Sequence, residues 1–207
     1  MKRTLDEAMH TRARILDSAA RTFLRQGLSH ASLADIAGVA GVTRGAVYGH
    51  FKNKSALFDA MFEHAALPVD PFLIDWRGGG PDPLGRLGSE LVRLLARALS
   101  NGAARRLYSV VYSRCEISAD TKHFWKKVHT ERRAAEQRIA DALDDARVQG
   151  QLPRDADIPA LAIFVHACLM GFFIRSLGEA APLVPHATAG HFVDLALRRL
   201  VHFDTPA

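Results

Sequence analysis

The sequence of 207 residues is poor in the groups that build metal sites, disulfide frameworks and most active sites. Its two cysteines, Cys115 and Cys168, lie far apart with no CxxC pair and no His/Cys cluster, which argues against zinc and disulfides and fits a reducing cytosol. The ten histidines are scattered, and the glycines at 78–80 lie in a proline-containing loop instead of a strand–helix phosphate turn. We therefore expect no cofactor and no metal, and we do not expect an enzyme.

The sequence also lacks a long uninterrupted apolar run. The longest, Ile158 to Ile174, contains Pro159 and His166 and is followed by Arg175, so we expect a buried helix and not a membrane span. The N-terminus is polar and shows no signal peptide. These features predict a cytoplasmic, nucleoid-associated protein with no membrane partner.

Positive charge is concentrated near the N-terminus. The formal net charge is +5, and residues 1–54 hold nine Lys/Arg against four Asp/Glu, whereas residues 55–207 hold 18 of each. A basic segment of this kind favours a polyanionic partner. A nonspecific architectural DNA-binding protein would need basic residues along the whole chain, so the distribution favours a single DNA-binding domain.

Helical periodicity runs through every long segment, and we predict an all-α fold of about nine helices. Residues 1–54 are expected to form a three-helix DNA-binding domain that follows a mobile arm at residues 1–9. Residues 55–207 are expected to form a helical ligand-binding and dimerisation domain, with a loop at Trp76–Pro83. The predicted helices are Thr11–Gln26, one from Ser32, Thr43–Gly49, one from Asn53, Pro83–Ser100, Ala103–Glu116, Asp120–Gln149, Asp155–Gly178 and Ala187–His202.

The segment Ser32 to Lys54 has the pattern of a helix-turn-helix. Asp35 stands three residues after Ser32, which is typical of a capping box at a helix start. Gly41 can adopt the positive φ that a tight turn between two helices requires, and Thr43 is a suitable N-cap for the next helix. The alternative is a plain helical hairpin in an all-α core.

Several residues of this segment suit contact with DNA. Helix N-termini bind phosphate, and an arginine early in a recognition helix can pair with both acceptors of guanine, which favours Arg44 as a base reader. Gly45 would allow the backbone to approach the groove floor. The alternative for each residue alone is an ordinary surface side chain. The predicted DNA-binding residues are Ser32, Thr43, Arg44, Gly45, Tyr48, His50, Lys52 and Lys54.

The rest of the chain contains many aromatic residues on its predicted helices. An aromatic, mostly apolar pocket between helices would suit a small hydrophobic ligand, and the alternative is that these residues simply fill the core. Glu116 could pair with a cationic ligand or form a salt bridge. The predicted ligand-binding residues are Phe62, Tyr108, Val111, Tyr112, Glu116, Trp125, Phe164 and Phe172.

The last two predicted helices have more apolar surface than one chain needs. Packed against their copies they would form a four-helix bundle, and a two-fold dimer predicts a near-palindromic DNA site. The predicted dimer interface consists of Phe164, Cys168, Gly171, Phe192, Leu195 and Leu200.

The stretch AGVTRGAVYGHFKNKSALF resembles the TetR family of bacterial transcriptional repressors. Together with TRARILDSAARTFLRQG, it is most similar to the branch that represses multidrug efflux pumps. The resemblance implies a homodimer in which a ligand bound to the C-terminal domain moves the fourth helix and separates the two recognition helices. It also implies that Ser32 caps the second helix. The positions that match the family's DNA contacts are Thr43, Arg44, Tyr48, His50 and Lys54.

The expected function is therefore a ligand-responsive repressor, released from a palindromic operator of an efflux operon by a hydrophobic or aromatic inducer. A regulator of metabolic or biosynthetic genes is the alternative, because only the ligand and the regulated genes distinguish the two.

Overall fold

The computed structural model describes residues 5–115, 121–178 and 186–201, and all regular secondary structure in these ranges is α-helical. The predicted all-α class is confirmed, and the described residues form nine helices, as predicted. The helices are α1 Leu5–Gln26, α2 Leu33–Ala40, α3 Arg44–His50, α4 Lys54–Ala65, α5 Pro83–Ser100, α6 Gly102–Arg114, α7 Lys122–Val148, α8 Ile158–Ser176 and α9 His186–Val201. The bounds of α5 match the prediction.

The first helix is longer than predicted. It begins at Leu5, so the prediction of a mobile arm through residue 9 is wrong for residues 5–9. Asp6 and Glu7 lie in the first turn, where negative charge is stabilised by the helix dipole. The hydroxyl of buried Thr11 donates to the carbonyl of Glu7 at 2.8 Å and adds a further contact to this turn.

The chain divides into two compact units. Unit 1 comprises Met1–Val69 and Gly102–Val128, and thus contains α1 to α4, α6 and the start of α7. Its core is an aromatic cluster in which Phe58 meets Phe124 edge-to-face at 4.2 Å between ring centroids. Phe23, Phe62 and Tyr108 extend this cluster, and each such pair adds about 0.5–1.5 kcal/mol beyond the area it buries.

Unit 2 comprises Asp70–Asn101 and His129–Ala207, and contains α5, most of α7, α8 and α9. Its leucine-rich core includes Leu87, Leu91 and Leu143, all fully buried. Gly88 allows α5 and α9 to pack closely, because a Cβ atom at this position would lie 3.2 Å from a methyl group of Leu197. The functional division predicted at residue 54 stays a prediction.

The connector between α4 and α5, residues 66–82, has no regular secondary structure, in agreement with the predicted loop. Much of it is nevertheless buried, including Phe72, Ile74 and Trp76. In unit 2 the Trp76 indole donates to the Asp145 carboxylate at 2.9 Å, and the Arg86 guanidinium lies 4.6 Å from the ring centroid of Trp76. Phe72, Ile74 and Trp76 of the connector are therefore part of the core of unit 2.

Helix α8 differs from the prediction of a buried helix. Ile163, Phe164 and Ile174 are 54%, 39% and 41% exposed, and they share one face of the helix. By length and composition alone, α8 would be capable of crossing a membrane, a property it shares with core helices of soluble proteins. A helix that is apolar all round carries no periodic signal that tells the covered face from the open one.

Candidate nucleic-acid interface

The turn between α2 and α3 is fixed by local hydrogen bonds. The Ser32 hydroxyl accepts from the Asp35 amide at 3.1 Å, and the Asp35 carboxylate accepts from the Ser32 amide at 2.9 Å, which confirms the predicted capping box. The hydrogen bonds from the Ser32 side chain and backbone lower the pKa of Asp35. Gly41 adopts the left-handed conformation with φ 62° and ψ 39°, and the Val42 amide donates to the Ala37 carbonyl at 3.0 Å.

Two glycines of this segment are expected to respond oppositely to alanine. Gly41→Ala should lower the free energy of unfolding by about 1–2 kcal/mol, because a side chain is strained in the left-handed region. A Cβ at position 41 would also lie 3.3 Å from Arg14 Nη2. Gly38→Ala should raise the free energy of unfolding by about 0.5–1 kcal/mol, because Gly38 lies inside α2 with open space around it. Urea unfolding measures both, and shifts in the same direction would contradict the turn assignment.

Helix α3 is anchored on its inner side and open on its outer side. Val47 is fully buried and the Thr43 hydroxyl accepts from the Ala46 amide at 3.2 Å, as expected of an N-cap. Phe51, which ends the helix, is also buried. These contacts fix the rotation of α3 about its axis and thereby determine which residues it presents to solvent.

The outer side of α3 carries Arg44, Gly45 and Tyr48, all of them exposed. The Arg44 guanidinium carbon lies 5.5 Å from the centroid of the Tyr48 ring. The Tyr48 hydroxyl, 3.5 Å from Arg44 Nη2, raises the pKa of Arg44. The cation–π contact limits the rotamers of a long side chain before it meets a partner.

The remaining predicted residues lie around α3 in different environments. Lys52 is exposed, whereas His50 is half-buried, with its ring centroid 6.1 Å from that of Phe51. Lys54 is also half-buried, and its ammonium donates to the carbonyls of Leu28 and Ser29, both at 3.0 Å. Lys54 thus joins the start of α4 to the turn that follows α1.

Replacing Lys54 by methionine is expected to lower the free energy of unfolding by about 1–2 kcal/mol, because two hydrogen bonds from a charged donor are lost. Methionine retains much of the apolar stem of lysine. Lys52→Met serves as the matched control, since Lys52 is exposed and only a change within about 0.5 kcal/mol is expected there. Equal stability of the two variants in chemical denaturation would show that the carbonyl contacts of Lys54 contribute nothing.

Two arginines of α1 support the helix-turn-helix and were missed in the sequence. Arg14 donates to the carbonyl of Ala40, the last residue of α2, at 2.5 Å. The Arg12 guanidinium lies 5.3 Å from the ring centroid of Phe51, the C-cap of α3. No sequence signal separates these arginines from the other basic residues of α1, because their partners lie 26 and 39 residues further along the chain.

The predicted ligand-binding residues are distributed over both units. Phe62 and Tyr108 are buried in the aromatic core of unit 1, and the Tyr108 hydroxyl donates to the Pro68 carbonyl at 3.0 Å. Phe172, in unit 2, stacks on Phe192 with 4.3 Å between centroids. Unit 1 also contains Val111, Tyr112 and Trp125, unit 2 contains Phe164, and Glu116 lies outside the described residues. A ligand role for this set stays a prediction.

Unit 2 has a groove of about 560 Å³ between α5 and α9. Apolar Leu84, Val193 and Leu197 line this groove together with basic Arg93 and Arg198. The predicted ligand-binding residues do not line this groove. In the described parts of the chain, no three His, Cys, Asp or Glu side chains are grouped so that they could hold a metal ion.

The predicted dimer residues lie on surface that the single chain leaves partly open. Phe164 is 39% and Leu195 50% exposed, Gly171 is exposed, and Cys168 and Phe192 are half-buried. Burial raises the pKa of the Cys168 thiol, which disfavours the reactive thiolate. Leu200 lies in α9, but its side chain is outside the described set.

A capped helix, a left-handed glycine turn and a second helix with an exposed arginine define a helix-turn-helix DNA-binding regulator with additional helices in a second unit. Comparison with known families agrees. Residues 15–61 match the model of bacterial regulatory proteins of the tetR family, and residues 82–201 match the C-terminal region of MAATS-type transcriptional repressors. The chain belongs to the TetR family of bacterial transcriptional regulators.

Individual relatives place the chain among regulators of known type. It is 32% identical over 178 residues to the transcriptional regulator TtgR of Pseudomonas putida, covering 86% of this chain and 85% of TtgR. Among solved structures it is similar to NalD, the secondary repressor of the MexAB-OprM multidrug efflux pump of Pseudomonas aeruginosa, with TM-score 0.81, 27% identity and coverage of 96% and 99%. A triclosan complex of SmeT, a multidrug efflux repressor of Stenotrophomonas maltophilia, matches with TM-score 0.73, 28% identity and coverage of 96% and 95%.

Proposed function

We propose that this protein represses a multidrug efflux operon and leaves its operator when a small hydrophobic compound binds. The observation that carries the proposal is the exposed outer side of α3, where Tyr48 restrains Arg44 beside a capped helix start. The efflux assignment rests on similarity to NalD and SmeT, which are repressors of multidrug efflux pumps. We place the protein in the cytoplasm, where its DNA is.

In this proposal α3 enters the major groove of operator DNA. Arg44 reads a base, Gly45 allows close approach of the helix, and Tyr48 supports the guanidinium and contacts the backbone. Lys52 and the hydroxyl of Thr43 contact phosphates. Ser32, His50 and Lys54 complete the set at its edges. Two of the three N–H donors of Lys54 are occupied by carbonyls, which leaves one for a phosphate oxygen.

The proposed active form is a homodimer built on the open apolar face of α8 and α9. Phe164 and Leu195 would be covered by the same face of the second copy, as in an isologous interface. Each copy then places one α3 on one half-site, and the operator is near-palindromic.

The inducer is proposed to be a small, largely apolar molecule. The structure of a complex of SmeT with triclosan, a compound of this kind, is known, so triclosan is the first probe. The predicted ligand-binding residues, Phe62 and Tyr108 among them, are retained as the proposed contact set.

Fluorescence anisotropy with a labelled duplex tests the proposal. The duplex is a site obtained by in vitro selection from random DNA with the full-length protein. We expect a Kd of about 10⁻⁸ M or tighter at physiological salt, and triclosan should weaken binding by at least about tenfold. Tight binding that neither triclosan nor other apolar efflux substrates weaken would contradict ligand-controlled release.

A further inference from the structure

The connector that follows α4 enters unit 2 at Asp70, and hydrogen bonds within unit 2 hold this residue in place. Asp70 is 1% exposed, and its Oδ2 lies 2.9 Å from Nε2 of His166 in α8, which is itself 3% exposed. Asp70 Oδ1 accepts from the Phe72 amide at 2.9 Å, and the Asp70 amide donates to the Glu131 carboxylate at 3.2 Å. Both carboxylate oxygens and the amide of one buried connector residue are therefore engaged within unit 2.

Aromatic side chains shield the Asp70–His166 pair from water. Fully buried Phe72 meets the His166 ring edge-on with 6.2 Å between centroids, and it meets Phe173 at 5.9 Å. His166 Nδ1 lies 3.8 Å from the Glu136 carboxylate. Separating Asp70 from His166 would break a hydrogen bond between two buried polar side chains, which costs free energy. The pair therefore strongly favours one position of the connector.

The two residues before Asp70 are fixed in unit 1. The hydroxyls of Tyr108 and Tyr112 in α6 donate to the carbonyls of Pro68 and Val69, each at 3.0 Å. Three consecutive residues of the connector thus have side-chain partners, two in unit 1 and one in unit 2. The backbone between the last turn of α4 and Asp70 therefore has little freedom to move.

Helix α4 directly follows α3, the proposed DNA-binding helix, in the chain. It spans Lys54–Ala65, its N-cap is Asn53, and α3 ends with Phe51 as its C-cap. An α-helix of this length behaves as a stiff rod of about 18 Å, so a displacement at its C-terminal end reaches the end of α3.

We propose that Asp70 and His166 are positioning residues that link the state of unit 2 to α4, so that release by an inducer depends on this pair. The inference rests on the proposed function, in which an inducer weakens operator binding. Neither residue touches DNA in this account. The hydrogen bond between them determines how strongly a conformational change in unit 2 affects the position of α4. It thereby contributes to the coupling between ligand binding and operator binding.

The test compares three variants of the full-length protein. His166→Phe keeps a ring beside Phe72 but removes the polar partner of Asp70. His166→Gln keeps an N–H donor near the position of Nε2 and is the conservative rescue. Trp76→Phe is the matched control, because it removes a different hydrogen bond of the same connector, from the Trp76 indole to Asp145.

Operator Kd is measured with and without triclosan, on the selected duplex, and triclosan binding is measured by calorimetry. His166→Phe should bind operator and triclosan within about threefold of the wild type, while the triclosan effect on operator Kd falls at least about tenfold. His166→Gln and Trp76→Phe should keep most of that effect. Full retention of the effect in His166→Phe, or an equal loss in Trp76→Phe, would overturn the proposal.

Hydrogen exchange of α4 amides gives a second readout that needs no inducer. His166→Phe should increase exchange in residues 54–65, whereas Trp76→Phe should leave it near the wild-type level, and unchanged exchange in His166→Phe would overturn the anchor. If His166→Phe does not fold, Asp70→Asn is measured in the same way, because it retains an oxygen for the Phe72 amide. A wild-type protein that triclosan does not release would refute the proposed function for this probe, and the exchange comparison would still decide the role of the pair.

Discussion

Replacing Leu195 by glutamate is expected to produce a folded monomer that binds operator DNA at least about 100-fold more weakly than the wild type. Leu195 is 50% exposed in the single chain, so a charge there should disturb the fold of the protomer little. In the proposed dimer the interface would bury one such charge from each copy without a partner, and each buried charge costs several kcal/mol. A monomer also loses the gain of about 10²–10⁴ that joining two half-site contacts provides.

Val148→Glu is the matched control for this variant. Val148 is the last residue of α7, is 78% exposed, and lies outside the predicted interface. The Val148→Glu variant should remain a dimer, as measured by light scattering, and should bind operator DNA with wild-type affinity. A Leu195→Glu protein that stays a tight dimer would contradict the interface, and a monomer that binds operator with full affinity would contradict the need for two copies.

Replacing Arg44 by alanine is expected to reduce discrimination between operator and random DNA by about 1–3 kcal/mol, or roughly 5- to 150-fold. Arg44 is exposed, and its guanidinium is already restrained over the Tyr48 ring. Arg44→Lys should recover little of this discrimination, because an ammonium cannot reproduce the planar pairing of a guanidinium. Competition binding with a random duplex of equal length measures the difference.

Lys52→Ala serves as the control for the loss of a positive charge. It should weaken binding to both DNAs and reduce the slope of log K against log salt by about one unit. Tyr48→Phe, which keeps the ring beneath Arg44, should retain most of the discrimination. If Arg44→Ala weakens operator and random DNA equally, Arg44 reads no base.

Features set by neighbouring residues were predictable from the sequence. The capping box of Ser32 and Asp35, the turn at Gly41 and the start of α5 at Pro83 depend on local backbone chemistry, and the structure has all three. The predicted mobile arm is wrong for residues 5–9, because this polar segment also contains good helix formers and belongs to α1.

Features set by distant residues were not predictable. Asp70 and His166 are 96 positions apart, and each alone resembles an ordinary polar residue. Lys54 looked like a phosphate contact, and only the folded chain brings the carbonyls of residues 28 and 29 to its ammonium. The exposure of Ile163 was not predictable for a different reason, since Ile163 and the buried Val165 are equally apolar.

In vitro selection with the full-length protein and random-sequence duplex DNA tests whether this protein is a dimeric helix-turn-helix repressor. We expect enrichment of an inverted repeat whose two half-sites each contact one α3, bound at least about 10³-fold more tightly than random DNA. Failure to enrich any sequence, or an enriched site without two-fold symmetry, would contradict a dimeric helix-turn-helix repressor.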